Sequence, residues 1–305
     1  MKRLSDIGEF GWIDELRRKI KKSRGVRVGP GDDAAVLDCP RGNKMLLTTD
    51  MLIEDRHFTR RDASAFEIGR KAMAVNVSDI AAMGGVPRYA VISAGLPGSV
   101  SKKFLDELFG GFASVAHEFK TAIVGGDTNR SDKIVISVAM TGEVEPKKLV
   151  LRSGAKPGDI IFVSGFLGGS YRSRKHLNFT PRLREARYLV SKFRINAMMD
   201  LSDGLGSDIH RICRESGVGA VLSLPDIPAT DPKNVEAALS DGEDFELLFT
   251  ASVAEAAKIG SIDHPEDLAF FSPVGRIVRA AEGVTTVDAR GKRVRLKSSG
   301  FDHFR

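Results

Sequence analysis

The sequence predicts an α/β protein with mixed sheets, divided into two domains of similar size. Its 305 residues exceed what a single hydrophobic core usually organises. Short β-branched, apolar runs alternate along the chain with stretches of helical periodicity. A turn-rich segment, RSGAKPGD, separates the two halves. We therefore predict one domain over residues 1–145 and a second over residues 146–305.

The elements of each half follow from these patterns. In the first half, strands are predicted over 45–49, 90–94, 121–124 and 134–141, and helices over 65–83 and 102–118. The helix over 65–83 ends before a Gly-Gly pair with a proline beyond it. In the second half, strands are predicted over 160–164, 197–199, 220–224, 245–250 and 273–278, with a helix over 204–215. The order of the strands within each sheet stays open at this point.

Composition narrows the classes of function. The net charge of +6 could suit nucleic acid, and eight Lys or Arg fall within residues 171–194. Aromatic residues make up only 7% of the chain, so base stacking is poorly provided for, and we predict a solvated basic face instead. The chain contains no apolar run of about 18 residues, no secretory core and only two cysteines. We expect a cytoplasmic protein that binds neither nucleic acid nor membrane.

Carboxylates recur beside segments that are predicted to be buried. They are Asp50, Asp127, Asp200 and Asp203 after strands, and Asp79 on a helix among small apolar residues. For any one of them, a cap or a turn is the commoner explanation. Together they predict a site for a hard cation such as Mg²⁺, because buried carboxylates need a proton or a cation. Thr48, Thr49 and Ser202 add hydroxyls beside the same acids.

A magnesium site of this kind suggests nucleotide chemistry, since Mg²⁺ commonly takes substrate phosphates as ligands. Neither the P-loop motif nor the protein-kinase motifs occur. The glycine-rich stretch SGFLGGS at 164–170 could hold a phosphate on its backbone amides, or could be a tight strand-to-helix turn. If the protein transfers phosphoryl groups, it belongs to none of the common kinase classes.

Eight motifs in order carry a resemblance to a known family over nearly the whole chain. They are GPGDDAAVL, TTDMLIEDRHF, AVNVSDIAAMGGVP, VGGDTNR, RSGAKPGD, DLSDGLGSDIHRI, GEDFELLFT and GFDHF. The set resembles the thiamine-monophosphate kinases, a family in the superfamily of aminoimidazole ribonucleotide synthetase. The resemblance implies a two-domain aminoimidazole ribonucleotide synthetase-like architecture, with N-terminal domains that pair into a homodimer and an active-site cleft between the domains. It also implies ATP-dependent phosphorylation of thiamine monophosphate to thiamine diphosphate by direct transfer, with several Mg²⁺ ions.

The same resemblance assigns roles to individual positions. The residues that match metal ligands are Asp33, Thr48, Thr49, Asp50, Asp79, Asp127, Asp200 and Asp203. Those that match ATP contacts are Gly126, Asp127, Arg152 and Ser202, and those that match the thiamine end are His57, Glu243 and Phe301. Asp32 is predicted either to support the neighbouring metal ligand or to accept hydrogen bonds in the turn beside Asp33. No general base is predicted, because the attacking phosphate oxygen is already deprotonated at neutral pH.

Departures from the family pattern concern the substrate pocket more than the metal cluster. Asp55, Asp241, Pro30 and the aromatic Phe301 differ from the residues usual in the family, and the stretch after Gly169 is short and basic. Two alternatives follow. The chain could be another ATP-using member of the superfamily, such as a cyclo-ligase, or an inactive relative that binds Mg²⁺ or nucleotide.

Overall fold

Two mixed β-sheets, one from each half of the chain, frame the protein in its computed structural model. The structure describes residues 11, 13–15, 17–19, 24–39, 42–261, 265 and 267–297. Within that part, every helix is too short or too polar to span a bilayer. Residues 11, 13–15 and 17–19 are helical.

The first sheet has six strands in the order β1-β2-β3-β6-β4-β5. The strands are β1 Val26–Val28, β2 Ala35–Asp38, β3 Lys44–Ile53, β4 Val86–Leu96, β5 Ala122–Arg130 and β6 Val135–Val144. Only β4 and β5 pair in parallel, and the other neighbours are antiparallel. Burial alternates strictly along β6, as a sheet with one covered face requires. Helices α1, Ala65–Ala82, and α2, Lys102–Glu118, belong to this half.

The second sheet has seven strands in the order β13-β12-β9-β11-β7-β10-β8. The strands are β7 Ile160–Ser164, β8 Ile195–Asp200, β9 Val218–Ser223, β10 Leu247–Ala251, β11 Phe271–Arg279, β12 Val284–Val287 and β13 Arg293–Arg295. Its helices are α3 Ser170–Ser173, α4 Lys175–Asn178, α5 Leu183–Lys192, α6 Leu205–Ser216, α7 Val235–Ser240 and α8 Val253–Ser261. Strand β10 is buried along its whole length, which accounts for its continuous apolar sequence.

Helix α1 is the element that joins the two halves. It packs on β3, β6 and α2 of the first half and on α4, α5 and β8 of the second. Ser64 and Glu67 form a reciprocal capping box that fixes its first turn. Because both halves cover it, α1 is buried on most of its surface, and its few polar residues must find partners inside the protein.

The predicted strands and helices occur in the structure, with two consequential corrections. We predicted that Asp50 follows a strand, but β3 continues to Ile53 and Asp50 lies within it. Asp127 was also expected after a strand beside a buried segment, yet β5 extends to Arg130 at an exposed sheet edge. Pairing with the neighbouring strand carries each ladder past the acid, which local propensity does not reveal. The domain boundary at 145/146 falls between the two sheets and stays a prediction.

One face of the first sheet is open and partly apolar. Large side chains on it are Leu47, Met51, Tyr89, Val91 and Val124, each at least 41% exposed. Strand alternation separates this face from the inner one, on which α1 lies. An open apolar sheet face of this kind suits contact with another protein surface.

Candidate active site

A cavity of about 750 Å³ lies between the two halves of the chain. Both halves contribute to its walls. Among the residues that line it are Asp33, Thr48, Thr49, Asp50, His57, Asp79, Arg152, Asp200, Ser202, Asp203 and Glu243. All of these were predicted as site residues, so the sequence assignments converge on one place.

Three carboxylates meet at one end of the cavity. Asp33, Asp79 and Asp200 each place one oxygen within 4.8 Å of the others. Asp33 comes from the turn before β2, Asp79 from α1, and Asp200 from the last position of β8. The cluster therefore depends on both sheets and on the helix between them.

Neighbouring side chains orient these acids. The Thr48 hydroxyl is in short contact with the Asp79 carboxyl and lies 3.2 Å from the Asp33 carbonyl oxygen, and its single proton can be donated to either. Ser78 Oγ donates to Asp200 Oδ2 at 2.6 Å. The Asp50 carboxyl lies beside that of Asp79, and the two interact directly.

Burial and mutual repulsion raise the pKa values of the cluster. Desolvation, followed by repulsion from Asp33 and Asp203, raises the pKa of Asp50 to about 6. Desolvation and then the neighbouring carboxylates hold the pKa values of Asp79 and Asp200 well above their ordinary range. At an effective dielectric of 20, two unit charges 4.8 Å apart repel by about 3.5 kcal/mol. The cluster is therefore costly unless protons or cations neutralise it.

Arg152 supplies part of the countercharge. Its guanidinium is hydrogen-bonded to Asp33 Oδ1 at 2.5 Å. Burial lowers the pKa of Arg152, but the carboxylates beside it, Asp33 first, more than reverse that shift. The backbone amide of Arg152 donates to both oxygens of Asp32, and the amide of Asp33 donates to Asp32 Oδ1. Asp32 thus accepts hydrogen bonds in the turn, as predicted.

The donor set fits a hard divalent cation. Asp33 Oδ2 and Asp50 Oδ2 are buried and find no hydrogen-bond donor among the described residues. The cluster offers carboxylate oxygens and the Thr48 hydroxyl, whereas no cysteine or histidine belongs to the described three-acid group. Oxygen ligands of this kind suit Mg²⁺ rather than a softer metal.

The opposite end of the cavity is built around Glu243. Lys71 Nζ donates to both oxygens of Glu243 at 2.8 Å, and the Tyr171 hydroxyl bonds to the same carboxylate. His57 borders this end, and its Nδ1 accepts the Ile53 amide at 2.9 Å. That bond leaves the proton of a neutral His57 ring on Nε2. His57 and Glu243, both predicted for the acceptor, share one end of the cavity.

The structure leaves two predicted residues outside the cavity wall. Gly126 and Asp127 lie on β5, at the edge of the first sheet. Asp127 on β5 pairs with Ser93 on β4. Across the sheet in the same register, Ser93 pairs with Ser137 on β6, and Ser137 pairs with Met51 on β3. Three strand spacings of about 4.8 Å put Asp127 about 14 Å from β3. Phe301 lies outside the described residues.

The glycine-rich stretch at 164–170 acts as a turn that binds carboxylates of its own chain. The amide of Gly168 donates to both oxygens of Asp244 at 2.9 Å, and Gly169 N donates to Asp241 Oδ2 at 3.0 Å. Ser170 Oγ also donates to Asp244. These amides already donate to carboxylates, so they are not available to a phosphate. The structure therefore favours a tight strand-to-helix turn over a phosphate-binding loop.

Sequence reasoning missed several cationic residues at the site. Arg17, Arg56, Arg211 and Arg214 line the cavity, and Lys71 lies behind it. Arg211 pairs with Asp203 and with the buried Asp208. One signal was available for Lys71, because a charged residue interrupts the apolar stripe of a helix that is otherwise buried. The arginines gave no such signal, since their clustering depends on the fold.

Comparisons with known proteins show the class to which the chain belongs. Residues 31–144 match the family described as AIR synthase related protein, N-terminal domain, and residues 156–288 match its C-terminal domain. At 22% identity, the hydrogenase maturation protein HypE in complex with ATP shares the fold, with a TM-score of 0.70 over 88% of this chain and 90% of its own. The chain is therefore a two-domain protein of the AIR synthase-related class.

Closer relatives define the family within that class. The thiamine-monophosphate kinase of Rhodopirellula baltica is 35% identical over 97% of both chains, and that of Aquifex aeolicus is 35% identical over 99% of this chain and 100% of its own. The solved structure described as AaThiL complexed with AMPPCP and TMP has a TM-score of 0.85 at 32% identity, covering 99% of both chains. The chain belongs to the thiamine-monophosphate kinase family.

Proposed function

We propose that this protein transfers the γ-phosphoryl group of ATP directly to the phosphate of thiamine monophosphate, forming thiamine diphosphate and ADP. An acceptor oxygen attacks the γ-phosphorus while the bond to the bridging oxygen of ADP breaks. The observation that carries the proposal is the convergence of Asp33, Asp79 and Asp200 in a cavity that also contains His57 and Glu243. Relatives with the corresponding name, and a solved relative complexed with AMPPCP and TMP, support this choice of reactants.

The acid cluster would hold several Mg²⁺ ions at the phosphate end of the cavity. When bound, these ions would neutralise the charges of two phosphate-bearing reactants and orient them. Asp33, Thr48, Asp50, Asp79, Asp200 and Asp203 would supply the ligands. Thr49 borders the same cavity, although its hydroxyl donates to the Val138 carbonyl at 3.0 Å on the exposed side of β3.

The protein's own cationic groups complete the phosphate end. Arg152 and Ser202 would contact ATP, and Arg152 is held in place by Asp33. A planar guanidinium matches the oxygens of a phosphate, and it remains charged at every physiological pH. No side chain is needed as a general base, because the acceptor oxygen carries no proton at neutral pH.

We propose further that the protein acts as a homodimer in the cytoplasm. The open face of the first sheet exposes Met51 and Val91 beside Asp127 and Ser93. Pairing of two such faces would bury the apolar side chains and bring Asp127 of one subunit toward the cavity of the other. That arrangement would reconcile the predicted metal role of Asp127 with its distance from β3. Both Cys39 and Cys213 are free thiols, as is common in a reducing compartment.

A product assay tests the reaction. The purified protein is incubated with Mg²⁺, thiamine monophosphate and ATP labelled in the γ-phosphate, and the products are separated by chromatography. We expect the label to appear in thiamine diphosphate. Labelled free phosphate should form no faster than in a control without thiamine monophosphate. Label in free phosphate alone, or ATP binding without any transfer, would contradict the proposal.

A further inference from the structure

Lys71 is a buried cation that none of the proposed catalytic steps uses. It lies on α1, its side chain is 0% exposed, and its neighbours on the helix are mostly apolar. Its ammonium donates to Glu243 Oε1 and Oε2 at 2.8 Å and to the His57 carbonyl at 2.9 Å. These three bonds match the three donors of an ammonium group.

A lysine in this position is expensive unless its partners are fixed. Burial of an ammonium is tolerated only when it is paired and fully hydrogen-bonded. Both of its partners belong to residues at the acceptor end of the cavity, His57 and Glu243. The Lys71 ammonium therefore connects two loops to α1 by hydrogen bonds: the loop of His57 from the first half of the chain and the loop of Glu243 from the second.

The loop that carries Glu243 needs such an anchor. Gly242, Glu243 and Phe245 have φ values of 72°, 53° and 49°, in the left-handed region that non-glycine residues disfavour. The Glu243 amide donates to the Ser202 carbonyl at 2.6 Å, which fixes the backbone on the ATP side of the loop. The contacts from Lys71 and Tyr171 fix the carboxylate.

The ion pair also decides what Glu243 can recognise. Because Lys71 neutralises it, the carboxylate provides hydrogen-bond acceptors without a net negative charge. Such a group selects an N–H donor on a ligand more strongly than it selects a bare cation. An amino group on the heteroaromatic ring of the acceptor would meet this requirement.

We propose that Lys71 is a positioning residue for the acceptor: it orients the Glu243 carboxylate so that Glu243 accepts a hydrogen bond from an amino group of the acceptor's ring. This inference rests on the proposed function. Lys71 also lies eight positions before Asp79 on α1, or about 12 Å along the axis at 1.5 Å per residue. One helix therefore carries the supports of both ends of the cavity.

The first test replaces the ammonium with a side chain of similar length. In Lys71→Met we expect the KM for thiamine monophosphate to rise about 10- to 100-fold, because Glu243 loses two of its fixed contacts. The KM for ATP should change by less than about threefold, because the ATP end keeps its own anchors. An equal rise in both KM values would indicate a general structural role and overturn the proposal.

Arg187 offers a matched control. Like Lys71, it donates to both oxygens of a carboxylate and to one backbone carbonyl. Its guanidinium donates to the two oxygens of Glu145 at 2.8 Å and to the Gly84 carbonyl at 2.7 Å. It does not belong to the cavity wall as described. Arg187→Met should leave both KM values within about twofold of the wild type. A selective rise in the KM for thiamine monophosphate in Arg187→Met would show that loss of an ion pair away from the cavity has the same effect. That result would overturn the positioning role of Lys71.

A double-mutant cycle separates action through Glu243 from other effects. In a Glu243→Gln background, the added Lys71→Met change should raise the KM for the acceptor by no more than about twofold. The double variant buries no unpaired charge, so it serves even if Lys71→Met alone does not fold. A further tenfold rise in that background would overturn the proposal. Wild-type protein that forms no thiamine diphosphate would instead refute the proposed function itself.

Discussion

Each acid of the central cluster is more useful for binding than for stability. Asp200 illustrates this, because it is 3% exposed, accepts from Ser78, and faces Asp33 and Asp79. Desolvation first, and then Asp33, raise its pKa. In the absence of a cation the ionised group therefore destabilises the folded state, which is the expected signature of a binding residue.

The Asp200→Asn variant should separate these two properties. We expect kcat to fall by at least about 100-fold, because a ligand of the bound cation is lost. The free energy of unfolding without Mg²⁺ at pH 8 should stay equal to that of wild type or rise by up to about 2 kcal/mol. Denaturant unfolding and steady-state kinetics measure both. Asp38→Asn, which removes an exposed acid paired with Arg27 and Lys44, is the control and should leave kcat unchanged. A destabilised Asp200→Asn protein with normal kcat would assign Asp200 a structural role.

Proton competition predicts how Mg²⁺ binding depends on pH. The pKa of Asp32 is raised to about 7 and that of Asp50 to about 6, mainly by desolvation. In the folded state these two acids hold protons that they have released in the unfolded chain, so their contribution to the stability of the metal-free protein is lost as pH rises from about 4 to 7. A bound Mg²⁺ would have to displace the proton of Asp50, one of its proposed ligands, so its affinity should rise as pH increases through about 6. The increase in melting temperature on adding Mg²⁺ should be larger at pH 8 than at pH 6. Equal increases at the two pH values would show that the acids are already ionised before the cation binds.

At the scale of elements, the close crossing of α1 and α2 sets the position of Asp79 and Lys71. A Cβ on Gly111 would lie 2.1 Å from the Phe66 carbonyl oxygen, a backbone atom of α1. Gly110, its neighbour on α2, faces only the Phe66 ring at 3.6 Å. The two glycines therefore differ in packing while sharing the same helix.

Alanine at these two positions should have opposite effects. Gly111→Ala should lower the free energy of unfolding by about 1–3 kcal/mol, because the helices must move apart. Gly110→Ala should raise it by about 0.5–1 kcal/mol through helix propensity. Thermal or denaturant unfolding of both variants provides the measurement. Similar values for the two would mean that α1 and α2 do not approach closely.

The elements show how far local sequence determines the fold. Helix α2 and strand β7 have the predicted bounds, since periodicity and apolar runs dominate there. The extent of β3 past Asp50 and of β5 past Asp127 escaped prediction, because pairing with β6 and β4 sets those ends. Strands β12 and β13 were also missed, as they are short and depend on β9 for a partner. At the site, the motifs contained every predicted acid that lines the cavity, but also Asp127, which does not line it. The contacts of Lys71 and Arg211 depend on the fold and could not be predicted.

At the scale of the whole molecule, the proposed metal role of Asp127 predicts that a second subunit brings it to the cavity. Complementation between two inactive variants tests this directly. Asp50→Asn and Asp127→Asn should each abolish transfer when alone. If Asp127 acts in the partner's cavity, a heterodimer keeps one intact site, and an equal mixture after subunit exchange should recover about a quarter of wild-type activity. Light scattering on each variant checks that the dimer is retained. An inactive mixture containing confirmed heterodimers would place Asp127 in its own subunit's site or outside the reaction.

The central claim is that Asp33, Asp79 and Asp200 gather to bind divalent cations against the phosphates of a nucleotide. The most direct measurement is a crystal structure with Mn²⁺ and a non-hydrolysable ATP analogue, using anomalous scattering to locate the ions. We expect anomalous peaks about 2.0–2.5 Å from the oxygens of these three carboxylates, with the analogue's phosphates on the opposite side of the ions. A bound analogue without any peak at this cluster would contradict the account.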